Sequence, residues 1–255
     1  MDNRPIGMFD SGCGGLTVLK EYIKSMPNED FIYYGDTAHL PYGDKSPEKI
    51  IEYSKEIVKF LINKNVKLIV IACGTASANA YDYLKEKYNV EIRNIIEPTA
   101  KVMKNTNIGV IATKATIKSK AWENSILKYN PLAKVTSIAC PLFVPLIEEG
   151  FINTPATDYI IKEYLKNFVK SGEIPISSLI LGCTHYPLLE ENIKQILGKS
   201  IEVINVGTQS AQDTIKFLKD NNMENSKEHI GKQEFFSSDN FELFKENAKL
   251  LNFSI

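Results

Sequence analysis

Two stretches of this chain share one pattern, and the pattern limits which folds the chain can adopt. Residues 69–78 read IVIACGTASA and residues 179–188 read LILGCTHYPL. Each stretch is a short apolar run followed by a small residue, a cysteine and residues that lead into a predicted helix. Such a run is typical of a parallel strand that is buried on both faces. The repeat after 110 residues predicts two similar α/β lobes, each presenting one cysteine.

The cysteines of the repeat, Cys73 and Cys183, stand where α/β proteins bind their ligands. Residues that follow the carboxyl end of a parallel strand face a crevice, and the next helix begins there. A lone cysteine at a strand end is more often a packing residue than a reactive one. Two cysteines in matching positions reverse this expectation, and His185 adds an imidazole two residues after Cys183.

The composition favours a protein that acts on a small polar ligand. The 255 residues are 44% hydrophobic, which is enough for one large core or two modest ones. The formal net charge of −1 provides no positive field that would attract nucleic acid or an anionic membrane. We therefore expect a small-molecule substrate, with no nucleic acid and no membrane as partners.

Cysteine use and hydropathy indicate a cytoplasmic protein. The first residues lack the basic and then apolar pattern of a secretory signal, and no apolar run approaches the roughly 18 residues of a membrane helix. The four cysteines are far apart, without a CxxC pair or a paired histidine nearby, which argues against a zinc site. We expect free thiols in a reducing compartment, and no bound metal.

Apolar runs and turn residues divide the chain into alternating strands and helices. Strands are predicted at 5–9, 31–35, 67–72, 91–96, 107–112, 135–139, 179–181, 201–206 and 235–236. Helices are predicted at 16–25, after Pro47, across Trp122 and Leu127, at 157–169, after Pro187, after residue 206 and at the carboxyl end. Glu97 and Pro98 are interpreted as a crossing between the lobes, and Ser171 with Gly172 as an exposed link.

We predict an α/β fold of two similar lobes with largely parallel sheets and an active site in the cleft between them. The first lobe is expected to comprise residues 1–97 and 206–255, because the last helices and strand are expected to return to it. The second lobe is expected to comprise residues 98–205.

Two further turns carry groups that could contact a ligand. The turn 10–15 reads DSGCGG, which lacks the third glycine of a dinucleotide fingerprint and the GK[ST] of a P-loop. Asp10 and Ser11 at its edge favour a functional role over tight packing alone. The polar loop 36–43 follows another predicted strand and could close over a ligand. Three residues with weaker signals are interpreted as a surface residue, a structural thiol and a solvated carboxylate: His39, Cys140 and Glu148.

Two opposed thiols suit a reaction in which one removes a proton from one face of a carbon and the other returns a proton to the opposite face. A cysteine has an ordinary pKa of about 8.5, so one thiol can be ionised at neutral pH while its partner stays protonated. Asp10 and His185 are expected to assist, since an acid and a base must lie within hydrogen-bond reach. A carboxylate beside a thiolate opposes its charge, so Asp10 would accept the thiol proton or orient an ammonium group.

Five motifs in order resemble those of the glutamate racemases. They are FDSGCGGLTVLK, YYGDTAHLPYG, IACGTASA, CPLFVPLIEEG and LGCTHYPLL, and the resemblance runs from Ile6 to the late segment QEFFSSDNFELF. The resemblance implies a cofactor-independent isomerase of two facing lobes that interconverts L- and D-glutamate and supplies D-glutamate for bacterial peptidoglycan.

The resemblance also implies roles for individual residues. Cys73 would deprotonate D-glutamate and Cys183 would deprotonate L-glutamate. Asp10 and Glu148 match the assisting carboxylates of the family, and His185 matches its assisting imidazole. The positions that match substrate contacts are Asp10, Ser11, Tyr42, Gly43, Gly74, Thr75, Thr116, Thr184 and His185.

Two positions depart from the pattern of the family. Gly74 stands where the family has asparagine, so a backbone amide remains there but a side-chain contact to the amino acid is gone. This difference bears on the selection of glutamate over aspartate. Cys13 replaces an aliphatic residue in the first turn, and we interpret it as a small packing residue.

Three alternatives remain open from the sequence alone. The first is a related amino-acid racemase, for example one that acts on aspartate. The second is a hydrolase in which Cys183 attacks and His185 activates it, although residues two apart in one turn are poorly placed for a mutual hydrogen bond. The third is a non-catalytic protein that binds an amino acid. A homodimer is considered as an assembly, and the sequence does not give the oligomeric state.

Overall fold

The computed structural model describes residues 1–168, 176–198, 201–251 and 253–255. Its strands are β1 (Ile6–Asp10), β2 (Phe31–Gly35), β3 (Leu68–Ile71), β4 (Glu91–Asn94), β5 (Asn107–Ala112), β6 (Lys134–Ala139), β7 (Ser178–Leu181), β8 (Glu202–Ile204) and β9 (Gln233–Ser237). Its α-helices are α1 (Leu16–Ser25), α2 (Pro47–Asn63), α3 (Gly74–Asn79), α4 (Tyr81–Lys87), α5 (Ile96–Val102), α6 (Lys114–Ser119), α7 (Ala121–Tyr129), α8 (Phe143–Glu148), α9 (Pro155–Leu165), α10 (Glu190–Leu197), α11 (Val206–Asp220) and α12 (Phe241–Leu250).

The strands form two sheets in which every described pair is parallel. The first sheet has the order β4-β3-β1-β2-β9 and the second has the order β6-β5-β7-β8. The predicted α/β class with largely parallel sheets is confirmed. Strand β9 pairs with β2, so the chain returns to the first sheet after it has built the second.

The two strands of the repeat lie inside their sheets. All four residues of β3 and all four of β7 are buried, as the apolar runs 68–71 and 179–181 predict. Strand β1 lies beside β3 in the first sheet, and β5 lies beside β7 in the second. The residues that follow these four strands therefore come together at the carboxyl edges of the two sheets.

One apolar cluster joins the two sheets. It contains Met8 and Val70 from the first sheet together with Val110 and Ile180 from the second. Burial of such side chains stabilises a fold by roughly 1.5–3 kcal/mol each. The cluster therefore ties the two lobes together beneath the site. The division of the chain into residues 1–97 with 206–255 and residues 98–205 stays a prediction.

Several predicted elements differ from the structure. Glu97 and Pro98, interpreted as a crossing between the lobes, lie between β4 of the first sheet and β5 of the second, and they form part of the first turn of α5. A proline is tolerated there because the first N–H groups of a helix have no partner within the helix. The helix predicted across Trp122 is divided into α6 and α7 by Lys120, whose φ of 57° is left-handed.

The elements of the second lobe also start or end at other residues than predicted. The strand predicted at 201–206 is the shorter β8, and Val206 already begins α11. The helix predicted from Pro187 starts as one 3-10 turn, Tyr186–Leu189, and continues as α10. The helix predicted at 157–169 corresponds to α9, followed by the 3-10 turn Lys166–Phe168. Ser171 and Gly172 lie outside the described residues.

In the part of the chain that the structure describes, no helix is both long enough and apolar enough to cross a membrane.

Candidate active site

A cavity of about 80 Å³ lies between the carboxyl edges of the two sheets. Nine of the predicted site residues line it: Ser11, Tyr42, Gly43, Cys73, Gly74, Thr75, Cys183, Thr184 and His185. The other three predicted residues, Asp10, Thr116 and Glu148, lie behind this lining. The structure thus brings the two cysteine turns of the sequence repeat to one cavity.

Cys73 follows β3 and is the N-cap residue of α3. Its sulfur accepts a hydrogen bond of 3.4 Å from the backbone N–H of Ala76, and its thiol donates one of 3.7 Å to the hydroxyl of Ser11. Burial raises the pKa of Cys73 to about 12, and the nearby Asp10 carboxylate acts in the same direction. In the free protein at neutral pH, Cys73 is therefore a protonated thiol, which can act as an acid.

Cys183 has a different neighbour, because its sulfur lies 3.9 Å from Nδ1 of His185. The expectation that two residues so close in sequence are poorly placed for this contact is wrong. The backbone turns sharply here, with a hydrogen bond of 3.1 Å from the N–H of Tyr186 to the carbonyl of Cys183. The thiol and the imidazole consequently lie on the same side of the turn, where a proton can pass between them.

His185 lies between the thiol of Cys183 and the carboxylate of Glu148. Its Nε2 is 3.2 Å from Oε1 of Glu148, which is an ion-pair distance without the alignment of a hydrogen bond. Burial opposes a charge on the imidazole, but contacts with the thiols of Cys13 and Cys183 and with Glu148 outweigh it. The pKa of His185 therefore lies well above its ordinary value. Glu148, at the end of α8, is about one third exposed and connects this group to solvent.

Asp10 is fully buried and contacts the cavity through Thr184. Its Oδ1 accepts a hydrogen bond of 2.9 Å from the N–H of Gly12, and its Oδ2 accepts one of 3.3 Å from the hydroxyl of Thr184. Burial raises the pKa of Asp10, while the charge of His185 and these hydrogen bonds act against the increase. Asp10 of the first lobe is thereby joined to the Cys183 turn of the second.

Three threonine hydroxyls connect the lobes on another side of the cavity. The hydroxyl of Thr75 lies 2.9 Å from that of Thr113, which lies 2.9 Å from that of Thr116. Thr116 is buried behind the other two, so it holds their hydroxyls in place and does not line the cavity. Thr113 was not predicted as a site residue, although it follows β5 just as Cys73 follows β3.

The loop after β2 covers one side of the cavity with Tyr42 and Gly43. The hydroxyl of Tyr42 donates a hydrogen bond of 2.5 Å to Asp36, and burial raises the pKa of Tyr42 well above its ordinary range. Nδ1 of His39 lies 2.8 Å from the carboxylate of Asp36, and the imidazole ring of His39 stacks on the ring of Tyr53. His39 therefore supports the loop from outside the cavity.

Sequence reasoning missed part of the lining. The additional residues are Leu40, Pro41, Asp44, Thr113, Lys114, Cys140, Pro141, Val144 and Pro145. Cys140, interpreted as structural, is buried and lines the cavity as well. Cys13, interpreted as a packing residue, also contacts His185. Lys114 lies 3.6 Å from Asp44 across the cavity mouth. Within the described ranges, no group of three or more His, Cys, Asp or Glu side chains is arranged to hold a metal ion.

Comparison with known proteins places the chain in a family. Residues 12–212 match the family described as Asp/Glu/Hydantoin racemase. The chain belongs to the Asp/Glu/hydantoin racemase family. The match includes both cysteine turns, and it begins in the turn that follows Asp10.

Curated members of this racemase family resemble the chain over most of its length. A protein named glutamate racemase from Geobacter metallireducens is 41% identical over 240 residues, which covers 92% of this chain and 88% of the relative. A protein named glutamate racemase 2 from Caldanaerobacter subterraneus is 43% identical over 255 residues, which covers 98% of this chain and 94% of the relative.

A solved racemase structure shares the fold. The glutamate racemase of Francisella tularensis in complex with D-glutamate superposes with a TM-score of 0.92 at 39% sequence identity. The superposition covers 100% of this chain and 96% of that one. The two-lobe architecture is therefore the architecture of a glutamate racemase.

Proposed function

We propose that this protein is a glutamate racemase that interconverts L- and D-glutamate by proton transfer at Cα between two cysteines. The observation that carries the proposal is the presence of Cys73 and Cys183, each from a different lobe, on the lining of one cavity. The relatives that are 41% and 43% identical, both named glutamate racemase, support glutamate as the substrate.

In the direction from L- to D-glutamate, Cys183 is the base and Cys73 is the acid. The thiolate of Cys183 takes the proton from Cα, and the electron pair of the broken C–H bond is shared with the α-carboxylate. The thiol of Cys73 then gives its proton to the opposite face of Cα. One proton has been removed and one added, so the product is D-glutamate, with Cys73 left as thiolate and Cys183 as thiol.

The reverse direction exchanges these roles. The thiolate of Cys73 removes the proton of D-glutamate, and the thiol of Cys183 protonates the other face. Because the pKa of Cys73 is high, this residue is a protonated thiol in the free protein. The free protein is therefore in the protonation state that converts L-glutamate. His185 and Glu148 assist Cys183. Asp10, which is buried behind the lining, assists from the side of Cys73 and orients the substrate ammonium group through the hydroxyl of Thr184.

The hydroxyl-bearing and glycine residues of the cavity are proposed to hold the substrate. Hydroxyls of Ser11, Thr75 and Thr184 and backbone N–H groups near Gly43 and Gly74 can bind carboxylates by charge-assisted hydrogen bonds. Tyr42 contributes from the loop after β2. Thr116 acts through Thr113 and Thr75, because its hydroxyl is hydrogen-bonded to the hydroxyls of both.

The proposal extends to the setting of the reaction. The proton transfer as written consumes no cofactor, and its product would supply D-glutamate for peptidoglycan. All four cysteines are free, which suits the cytoplasm, where thiols stay reduced. No nucleic acid or membrane takes part. Association into a homodimer stays a prediction, which sedimentation of the purified protein would measure.

The contact between Cys183 and His185 would allow the imidazole to activate the thiol as a nucleophile, as the hydrolase alternative requires. A hydrolase would, however, leave Cys73 without a role on the opposite wall of the same cavity. Failure to trap an acyl-thioester with glutamyl esters or amides would separate the two reactions in favour of the racemase.

The test is incubation with either enantiomer of glutamate in heavy water, without pyridoxal phosphate. Circular dichroism should show loss of optical activity, and proton NMR should show replacement of the Cα proton by deuterium. Aspartate and other amino acids in the same assay measure selectivity. Lack of both racemisation and exchange with glutamate would contradict the proposal.

A further inference from the structure

An ion pair at the mouth of the cavity joins the two lobes. Nζ of Lys114, the first residue of α6, lies 3.6 Å from Oδ1 of Asp44, which follows β2 in the loop that covers the cavity. Beside this pair, Gly43 packs so closely on Thr113 that a Cβ atom built on it would lie 2.9 Å from Cβ of Thr113. Two neighbouring contacts therefore place the charges of Lys114 and Asp44 at the opening.

Lys114 is the one lysine or arginine on the lining of this cavity, within the part of the chain that the structure describes. The other basic group on the lining, His185, is buried and has Glu148 at 3.2 Å as its partner. Lys114 and Asp44 are 61% and 62% exposed, and an ion pair so accessible to water is weak. The ammonium group of Lys114 can therefore leave Asp44 for an anion in the cavity with little loss of free energy.

The charges around the cavity complement those of an acidic amino acid. The buried carboxylate of Asp10 accepts a hydrogen bond from Thr184, and it is the group proposed to orient the substrate ammonium. Hydroxyls and backbone N–H groups can hold the α-carboxylate. The second carboxylate of glutamate lies at the end of a flexible side chain and reaches farther from Cα than either of the other charged groups. A cation at the mouth is suitably placed to attract that second carboxylate.

We propose that Lys114 is a specificity-determining residue that attracts the second carboxylate of the substrate, with Asp44 as a counter-charge that weakens the attraction. The inference rests on the proposed function, in which a substrate with one net negative charge enters the cavity. A lysine is a compact charge on a flexible stem, so it can attract an anion without a fixed hydrogen-bond geometry. Lys114 is not part of the proton transfer between the cysteines. It should therefore affect KM far more than kcat.

The first test removes each charge of the pair separately. Lys114→Gln should raise KM for L- and D-glutamate about fivefold at low salt and keep kcat within about twofold. Asp44→Asn should act in the opposite direction and lower KM about twofold, because it leaves Lys114 without its counter-charge. If the pair only latched the mouth shut, both variants would change KM in the same direction, and that result would overturn the inference.

Matched controls separate the position of a charge from its presence. Lys114→Arg keeps a cation at the mouth and should keep KM within about twofold. Lys118→Gln removes an exposed lysine one turn later in α6, and Glu52→Gln removes the exposed partner of Lys49; neither position lines the cavity. Both controls should keep KM within about twofold. A KM increase in Lys118→Gln equal to that in Lys114→Gln would contradict a specific role for Lys114.

The salt dependence tests whether the attraction is electrostatic. In about 0.5 M salt, the KM of Lys114→Gln should differ less than about twofold from that of the wild type, because salt screens exposed charges. A fivefold difference that persists at this salt concentration would show that Lys114 acts through its shape and would contradict the proposal.

A binding measurement separates this inference from the proposed function. Calorimetry in a Cys73→Ser/Cys183→Ser background, which prevents turnover, compares D-glutamate with D-glutamine, in which an amide replaces the second carboxylate. Lys114→Gln should weaken D-glutamate about fivefold and D-glutamine less than about twofold. Equal weakening of both would contradict the assignment. If the wild type fails to racemise glutamate, the proposed function is wrong; if it racemises glutamate and Lys114→Gln has the same KM, only the role of Lys114 is wrong.

Discussion

Cys183 and His185 lie in one buried turn with the sulfur 3.9 Å from Nδ1, whereas Cys73 across the cavity has a hydroxyl and a backbone amide as its nearest polar partners. The two thiols therefore have unlike surroundings. The side of Cys183 carries an imidazole and Glu148 that can exchange protons with solvent. The side of Cys73 holds its proton, because burial and Asp10 both disfavour the thiolate.

The first prediction concerns the two thiols. Cys73→Ser and Cys183→Ser should each lower kcat about 1,000-fold, because a serine hydroxyl is a far weaker base than a thiolate. Cys140→Ser changes a thiol of the same cavity that has no proposed role in proton transfer, and it should retain activity within about tenfold. Racemisation of both enantiomers should be followed by circular dichroism. Normal turnover in Cys183→Ser would refute its assignment as a base.

The second prediction concerns the protonation of His185. The pKa of His185 is higher in the folded chain than its unfolded value of about 6.5, so proton binding stabilises the fold. This stabilisation is fully present below about pH 6.5 and is lost as the pH rises through the folded pKa. The Tm of the wild type minus that of His185→Gln should thus be largest in acid and should decrease in alkali. A difference that does not vary with pH would contradict the raised pKa.

The third prediction concerns the buried carboxylate of Asp10. Burial raises its folded pKa, so its ionisation above the unfolded value of about 3.9 works against folding. Asp10→Asn should therefore have a higher Tm than the wild type at pH 8, and the difference should disappear below about pH 4. The same variant should lose about 100-fold in kcat. A variant that is both less stable at pH 8 and fully active would contradict both parts.

The fourth prediction concerns a buried ion pair far from the cavity. Nζ of Lys67 lies 2.5 Å from Oε2 of Glu29, and both side chains are almost completely buried. Lys67 precedes β3 at its amino end, whereas Cys73 follows the carboxyl end. Glu29→Gln should lower the free energy of unfolding by about 3–5 kcal/mol, because it leaves a buried ammonium group unpaired.

Denaturant unfolding measures this loss, and the kcat of the folded variant should match the wild type. Glu29→Gln/Lys67→Met removes both charges and should be less destabilised than Glu29→Gln alone. A stability loss below about 1 kcal/mol in Glu29→Gln would show that water or another group replaces the partner.

The sheets could be predicted from the sequence because their inner strands are buried on both faces. The runs 68–71 of β3, 108–112 of β5 and 179–181 of β7 contain no polar side chain, and this pattern leaves few alternatives. Helix boundaries were harder to predict. Pro98 could equally end a strand connection or occupy the first turn of a helix, and the left-handed Lys120 that separates α6 from α7 has no glycine or proline to mark it.

The part of the candidate site that lies at the carboxyl ends of predicted strands could be predicted from the sequence. Cys73, Cys183 and Ser11 stand at strand ends, and Thr113 could have been found by the same rule. The wall of the cavity formed by Cys140, Pro141, Val144 and Pro145 could not be predicted, because its apolar sequence is equally typical of a segment that only packs in the core. The hydrogen bond between Thr184 and Asp10 depends on how the two lobes pack, which neither turn encodes by itself.

The most direct test of the two-cysteine mechanism is the isotopic content of both enantiomers early in the reaction. L-glutamate is incubated with the wild type in heavy water, the reaction is stopped after a few per cent of conversion, and the enantiomers are separated for mass spectrometry. Two bases on opposite faces predict D-glutamate with deuterium at Cα and remaining L-glutamate that keeps its proton. Equal early deuterium content in both enantiomers would show that one base serves both faces and would contradict the assignment of Cys73 and Cys183.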